Sequence, residues 1–204
     1  HDIGILMACS DAAGQTGGCR VFVWSGNTDL LLAVIKSTED QMNVAADTQR
    51  AMVRVIILVE DSPEYRSSIL PLLYREIVTQ TQKIIDDSVN QEHRILRMRA
   101  RPKILLAENY EEAMSLYEKH RSFLFGIISD TRFPKDGEMQ ADAGFVFLSK
   151  IRADIPDLPM LLMHWHWQLS ACFVTSTPSE KSGRNTHKAK LCTPPANRAD
   201  VFPN

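Results

Sequence analysis

Short apolar runs alternate with spaced apolar stripes through the middle of the chain. Residues 53–59 are almost wholly apolar and β-branched, a pattern that suits a strand buried on both faces. Ser62-Pro63-Glu64 then starts a helix, with serine as cap and proline in the first turn. Its stripe reads Ile69, Leu72, Leu73, Ile77 and Ile84, with a kink expected at Pro71 and an end near Val89. Residues 102–107 predict a second strand, and Asn109 caps a helix with Ala113, Leu116 and Tyr117 inward. Residues 123–129 predict a third strand, followed by a polar loop over 130–141. Asp142 caps a helix bearing Phe145, Leu148 and Ile151; residues 159–163 predict a fourth strand and 171–174 a short fifth. Alternating strand and helix units imply a parallel sheet covered on both faces by right-handed crossovers. The expected class is α/β, a doubly wound parallel sheet of five strands.

The flanks differ in texture. Within residues 1–50, the runs 3–8 and 20–24 read as buried strands. Asn27 or Thr28 caps a helix to about Met42, with Leu31, Ile35 and Thr38 along one stripe. Residues 175–204 hold proline, serine, threonine, asparagine and lysine with few large apolar side chains, and read as a disordered or loosely held tail.

Composition narrows the function. The 204 residues suit one ordinary domain with extra material, and 44% apolar content supplies a core. A formal net charge of −2 gives no electrostatic case for nucleic acid or an anionic membrane as partner. No apolar run is long enough to span a bilayer. The start, His1-Asp2-Ile3, lacks both the basic residues of a signal peptide and an initiating methionine, so the chain reads as cut from something longer. Cys9, Cys19, Cys172 and Cys192 have no paired spacing, which points away from a disulfide framework or zinc site and towards a reducing cytoplasm.

The candidate chemistry is acidic. In open α/β sheets, ligands bind outside the carboxyl ends of the strands. The first middle strand ends in Glu60-Asp61 and the third in Asp130. If those strands are neighbours, three carboxylates converge and need a cation between them. Magnesium suits such a set, and an aspartate there can act as a carboxylate nucleophile towards a phosphoryl group.

These residues resemble a family. ILVEDS at 57–62 resembles the acidic pair of response-regulator receiver domains, and IISDTRFPKDGE at 127–138 resembles their phospho-acceptor strand and loop. GFVFLSKIRADIPDLPMLLM at 144–163 is similar to their third helix and fourth strand. The resemblance covers residues 53–174 and implies a flavodoxin-like receiver fold. It implies that Asp130 accepts phosphate. It also implies that Glu60, Asp61, Asp130 and the backbone carbonyl of Arg132 hold Mg2+. A histidine kinase or phosphotransfer protein is the implied donor, and an output domain in the parent chain the implied recipient of the signal. Residues 1–50 resemble the last two strands and helix of a preceding receiver, with WSGN at 24–27 in place of the usual Lys-Pro. The run 21–74 is similar to the tandem receiver region ahead of phosphoenolpyruvate synthase-like domains in some bacterial proteins.

Two family positions differ. His164 stands where receivers carry serine or threonine at the end of the fourth strand, and no lysine follows residues 171–174. The metal half of the site is present and the switch half is missing. A phosphorelay receiver and a degenerate pseudo-receiver, acting as an interaction or structural module, therefore stand side by side. An independent enzyme is disfavoured by the lack of a glycine-rich phosphate loop, a GxSxG elbow or a placed Cys/His pair. His164 and His166 share a strand face as a minor metal option, and Trp165 and Trp167 read as packing residues. Arg94, Arg97, Arg99 and Arg101 read as a solvated helix end and loop.

Overall fold

Four apolar runs become the strands of one parallel sheet. The computed structural model describes residues 3–9, 19–86 and 101–164. A hairpin comes first, β1 (Gly4–Cys9) and β2 (Cys19–Trp24), then the helix α1 (Thr28–Ala51). Next are β3 (Val55–Val59), α2 (Pro63–Asp86), β4 (Lys103–Ala107), α3 (Tyr110–His120) and a 3-10 turn at Arg121–Phe123. The chain continues as β5 (Leu124–Asp130), the short strands β6 (Phe133–Lys135) and β7 (Glu138–Gln140), α4 (Ala143–Asp154) and β8 (Met160–Met163). The central sheet has the order β4-β3-β5-β8, with every pair parallel. Counting only these four strands along the chain, that order is 2-1-3-4, the flavodoxin-like arrangement. The expected fifth strand at 171–174, the tail, His166, both tryptophans and Arg94 to Arg99 lie outside the described residues.

Strand residues alternate between two cores, as a period of two requires. Val55, Ile57 and Val59 face Ala113 and Tyr117 of α3 and Phe147 and Ile151 of α4. Leu58, Ile104 and Leu106 face Leu70 and Tyr74 of α2, together with Leu30 and Ala33 of α1 and Phe22 of β2. The N-terminal segment thus shares a core with the sheet.

Among the described residues β4 is the edge strand of the sheet, and the N-terminal segment covers that edge. The Ile104 N–H donates to Asp40 Oδ2 at 3.0 Å, and Arg20 Nη2 donates to the Leu106 carbonyl at 2.8 Å. Asp40 is fully buried; it pairs with Arg101 at 2.6 Å and Lys103 at 3.3 Å and accepts from the Tyr74 hydroxyl at 2.9 Å. Unpaired strand backbone demands polar partners, so the buried stripe of α1 mixes polar with apolar residues.

Several expectations are corrected. The buried stripe of α1 is Leu30, Ala33, Ser37, Asp40, Val44 and Thr48, whereas Leu31 and Ile35 are exposed. The helix also runs on to Ala51, because residues 43–51 contain no glycine or proline to stop it. In α2, Arg66, Ser67, Leu70 and Tyr74 are buried while Leu72 is exposed. In α4, Phe147 is buried and Phe145 exposed. Arg101 is not solvated but paired with buried Asp40. β1 is not a buried strand either: Ile5 and Met7 point outward, as alternation in a half-exposed hairpin dictates. β1 and β2 pair antiparallel with Cys9 opposite Cys19, and the two form a disulfide with Cα atoms 4.1 Å apart. That register overturns the expectation of unpaired cysteines and removes their argument for a reducing compartment.

Candidate metal centre

β3 and β5 are neighbours, and Val59 pairs with Ser129, so Glu60 and Asp130 follow at the same level. The Glu60 N–H extends the β3–β4 ladder by donating to Ala107 at 2.9 Å. Ligand oxygens of Glu60, Asp61 and Asp130 all lie within 4.8 Å of one another. Glu60 and Asp130 are buried, at 1% and 8% exposure, and Asp61 is half-buried.

Glu60 Oε1 accepts the Ser62 N–H at 3.1 Å, but Oε2 is buried without a hydrogen-bond partner among the described residues. A buried, unpaired carboxylate oxygen is costly unless it is protonated or bound to a cation. Burial, reinforced by the nearby Asp130 charge, pushes the Glu60 carboxyl up to about 8. Burial also raises Asp61, against the pull of the Arg132 and Arg66 cations. Asp130 is raised by burial too, opposed by backbone N–H groups of Thr131 and Arg132. All three environments disfavour charge, as expected of carboxylates crowded together without a counter-ion. The donor set is all oxygen, which fits a hard divalent cation such as Mg2+, and the orphaned Oε2 is an open ligand position.

The sequence missed three supporting residues. Arg66 is buried beneath the site: Nη1 donates to the Glu60 carbonyl at 3.1 Å and Nη2 to the Val21 carbonyl at 2.7 Å. It also pairs with Glu108 at 2.7 Å and lies 5.3 Å from the Phe22 ring centroid. Charged residues inside an apolar helix stripe leave no periodic signal. Gly144, the second residue of α4, lies against the end of β5; a Cβ there would sit 1.9 Å from the Asp130 carbonyl oxygen. Thr131 follows Asp130, and its Oγ1 lies 2.9 Å from Nδ1 of His164, where β8 ends. After Phe133 buries itself, Asp136 (φ 55) and Gly137 (φ 81) make a left-handed two-residue turn between β6 and β7. The Asp-Gly motif thus shapes the loop beside the site.

A solved response-regulator receiver domain protein from Clostridium thermocellum is similar to this chain. Identity is 15%, the match covers 55% of this chain and 65% of that one, and the TM-score is 0.32. No protein-family model and no curated protein matches the sequence. The flavodoxin-like assignment rests on the strand order itself. No described helix is long and apolar enough to cross a membrane.

Proposed function

We propose that this chain is a receiver-type signalling module that accepts a phosphoryl group on Asp130. The observation that carries the reading is the convergence of the Glu60, Asp61 and Asp130 carboxylates, with Glu60 Oε2 buried and without a hydrogen-bond partner among the described residues. Glu60, Asp61, Asp130 and the backbone carbonyl of Arg132 would hold Mg2+, whose charge would offset that developing on the transferring oxygens. An Asp130 carboxylate oxygen attacks the phosphorus of a phosphohistidine, forming an acyl phosphate. The P–N bond breaks, and the departing imidazole nitrogen recovers a proton. Glu60 and Asp61 orient the site, and Gly144 lets α4 approach the backbone of Asp130. The donor is a histidine kinase or phosphotransfer protein, and the recipient of the signal is an output domain of the parent chain. In this reading the module is a phosphoryl acceptor and not an independent enzyme.

His164 in place of serine or threonine favours a second reading, a non-switching pseudo-receiver. Beryllofluoride with Mg2+ mimics the phosphoryl group and separates the two. A receiver shows saturable calorimetric binding and amide NMR shifts around Asp130, both lost in Asp130→Asn. If amides near Glu60, Asp61 and Asp130 do not move with Mg2+, the metal assignment is wrong. Movement with Mg2+ but none with beryllofluoride establishes the second reading.

A further inference from the structure

We propose that Thr131, oriented by His164, supplies the hydroxyl for a phosphoryl group on Asp130, replacing the serine or threonine missing from the end of β8. The inference rests on Asp130 being the acceptor. Asp130 pairs with Met163 across β5 and β8, so Thr131 and His164 are the next residues at the same level of two adjacent strands. Sheet register therefore brings them together. Thr131 Oγ1 lies 2.9 Å from His164 Nδ1 and 3.5 Å from Asp130 Oδ1. Its backbone is held as well, because the Gly144 N–H donates to the Thr131 carbonyl at 3.0 Å. A β-branched side chain on a fixed backbone has few rotamers, so the hydroxyl stays near Asp130.

A threonine hydroxyl has one hydrogen to donate and two lone pairs to accept with. Two arrangements follow. With the proton on Nδ1, His164 donates to Oγ1 and the threonine hydrogen is released towards Asp130. With Nδ1 unprotonated, the threonine hydrogen is spent on His164 and none faces Asp130. A phosphoryl group offers only acceptor oxygens, so it selects the first arrangement. Thr131 is then the group that touches the phosphoryl oxygens, and His164 is a positioning residue. The phosphorylation state is transmitted to the exit of β8 as a proton position on His164.

The test uses the full chain, Mg2+ and beryllofluoride. Wild type and Thr131→Ser are expected to bind beryllofluoride alike. Thr131→Val and His164→Phe are each expected to bind about tenfold more weakly, the loss of one hydrogen bond to a charged group. The double variant is expected to be no weaker than either single, because the two residues act as one unit. Amide spectra without beryllofluoride check that the variants are folded. Imidazole 15N spectra of the unmodified chain give an independent readout, with His164 Nδ1 protonated at saturating beryllofluoride. If wild type and Thr131→Val bind equally, or Nδ1 stays unprotonated at saturation, the inference is overturned while the acceptor assignment stands. If wild type binds no beryllofluoride, both fall.

Discussion

Magnesium binding should expel a proton from Glu60, and the amount can be worked out. Burial and the Asp130 charge place that carboxyl at about 8. About 0.9 of it is therefore protonated at pH 7 and about 0.1 at pH 9. A metal ligand must be ionised, so binding at pH 7 releases about 0.9 proton from this group and at pH 9 about 0.1. Affinity should tighten about tenfold over the same interval. Calorimetric titrations in two buffers of different ionisation enthalpy measure the protons directly. Glu60→Gln should lose this share of the release. The same shift acts on metal-free folding. The folded carboxyl lies above its ordinary 4.5, so its contribution to stability is complete below about pH 4.5 and is lost as pH rises through about 8. The gap between those values sets a ceiling of about 5 kcal/mol, at about 1.4 kcal/mol per pH unit, with water access reducing it. Magnesium should restore that stability at high pH. Release below about 0.3 proton at pH 7, or equal release from wild type and Glu60→Gln, would refute the reasoning.

Three further outcomes are expected. Gly144→Ala forces a Cβ to 1.9 Å from the Asp130 carbonyl oxygen, which should cost about 1–3 kcal/mol in urea unfolding and weaken Mg2+ binding; unchanged metal affinity would separate α4 from the site. Asp40→Ala removes the carboxylate paired with largely buried Arg101, leaves buried Lys103 with Asp47 alone and the Ile104 N–H without its acceptor, so about 3–5 kcal/mol should be lost. A loss under about 1 kcal/mol would show that the edge cover is dispensable. Deleting residues 1–50 uncovers the β4 edge and the apolar face around Leu58, Ile104 and Leu106, and should lower the melting temperature and raise dye binding. An unchanged melting temperature would mean that the segment adds nothing to the domain.

The four strands of the central sheet, the parallel α/β class and the acidic trio were legible in the sequence, because each rests on local chemistry, whereas β6 and β7 form within residues expected as a polar loop. A run such as residues 55–59 can be buried on both faces only in a covered sheet, and carboxylates at the ends of such runs meet wherever the strands are adjacent. The Asn27 and Asn109 caps were legible for the same reason, as each side chain bonds an N–H two or three residues onward. The buried stripe of α1 was not legible. Its inner side meets an open strand edge, where Asp40 must satisfy the Ile104 N–H, so periodicity in apolar residues pointed to Leu31 and Ile35 instead. Arg66 was hidden likewise, because its worth lies in carbonyls of Glu60 and Val21 brought together from distant parts of the chain. Cys9 and Cys19 meet only through antiparallel register, Gly144 matters only where α4 abuts Asp130, and Thr131 meets His164 only across two paired strands. Local patterns encode which segments become strands and helices; tertiary packing decides which groups share a buried space, and the cost of an unpaired polar group there decides their partners.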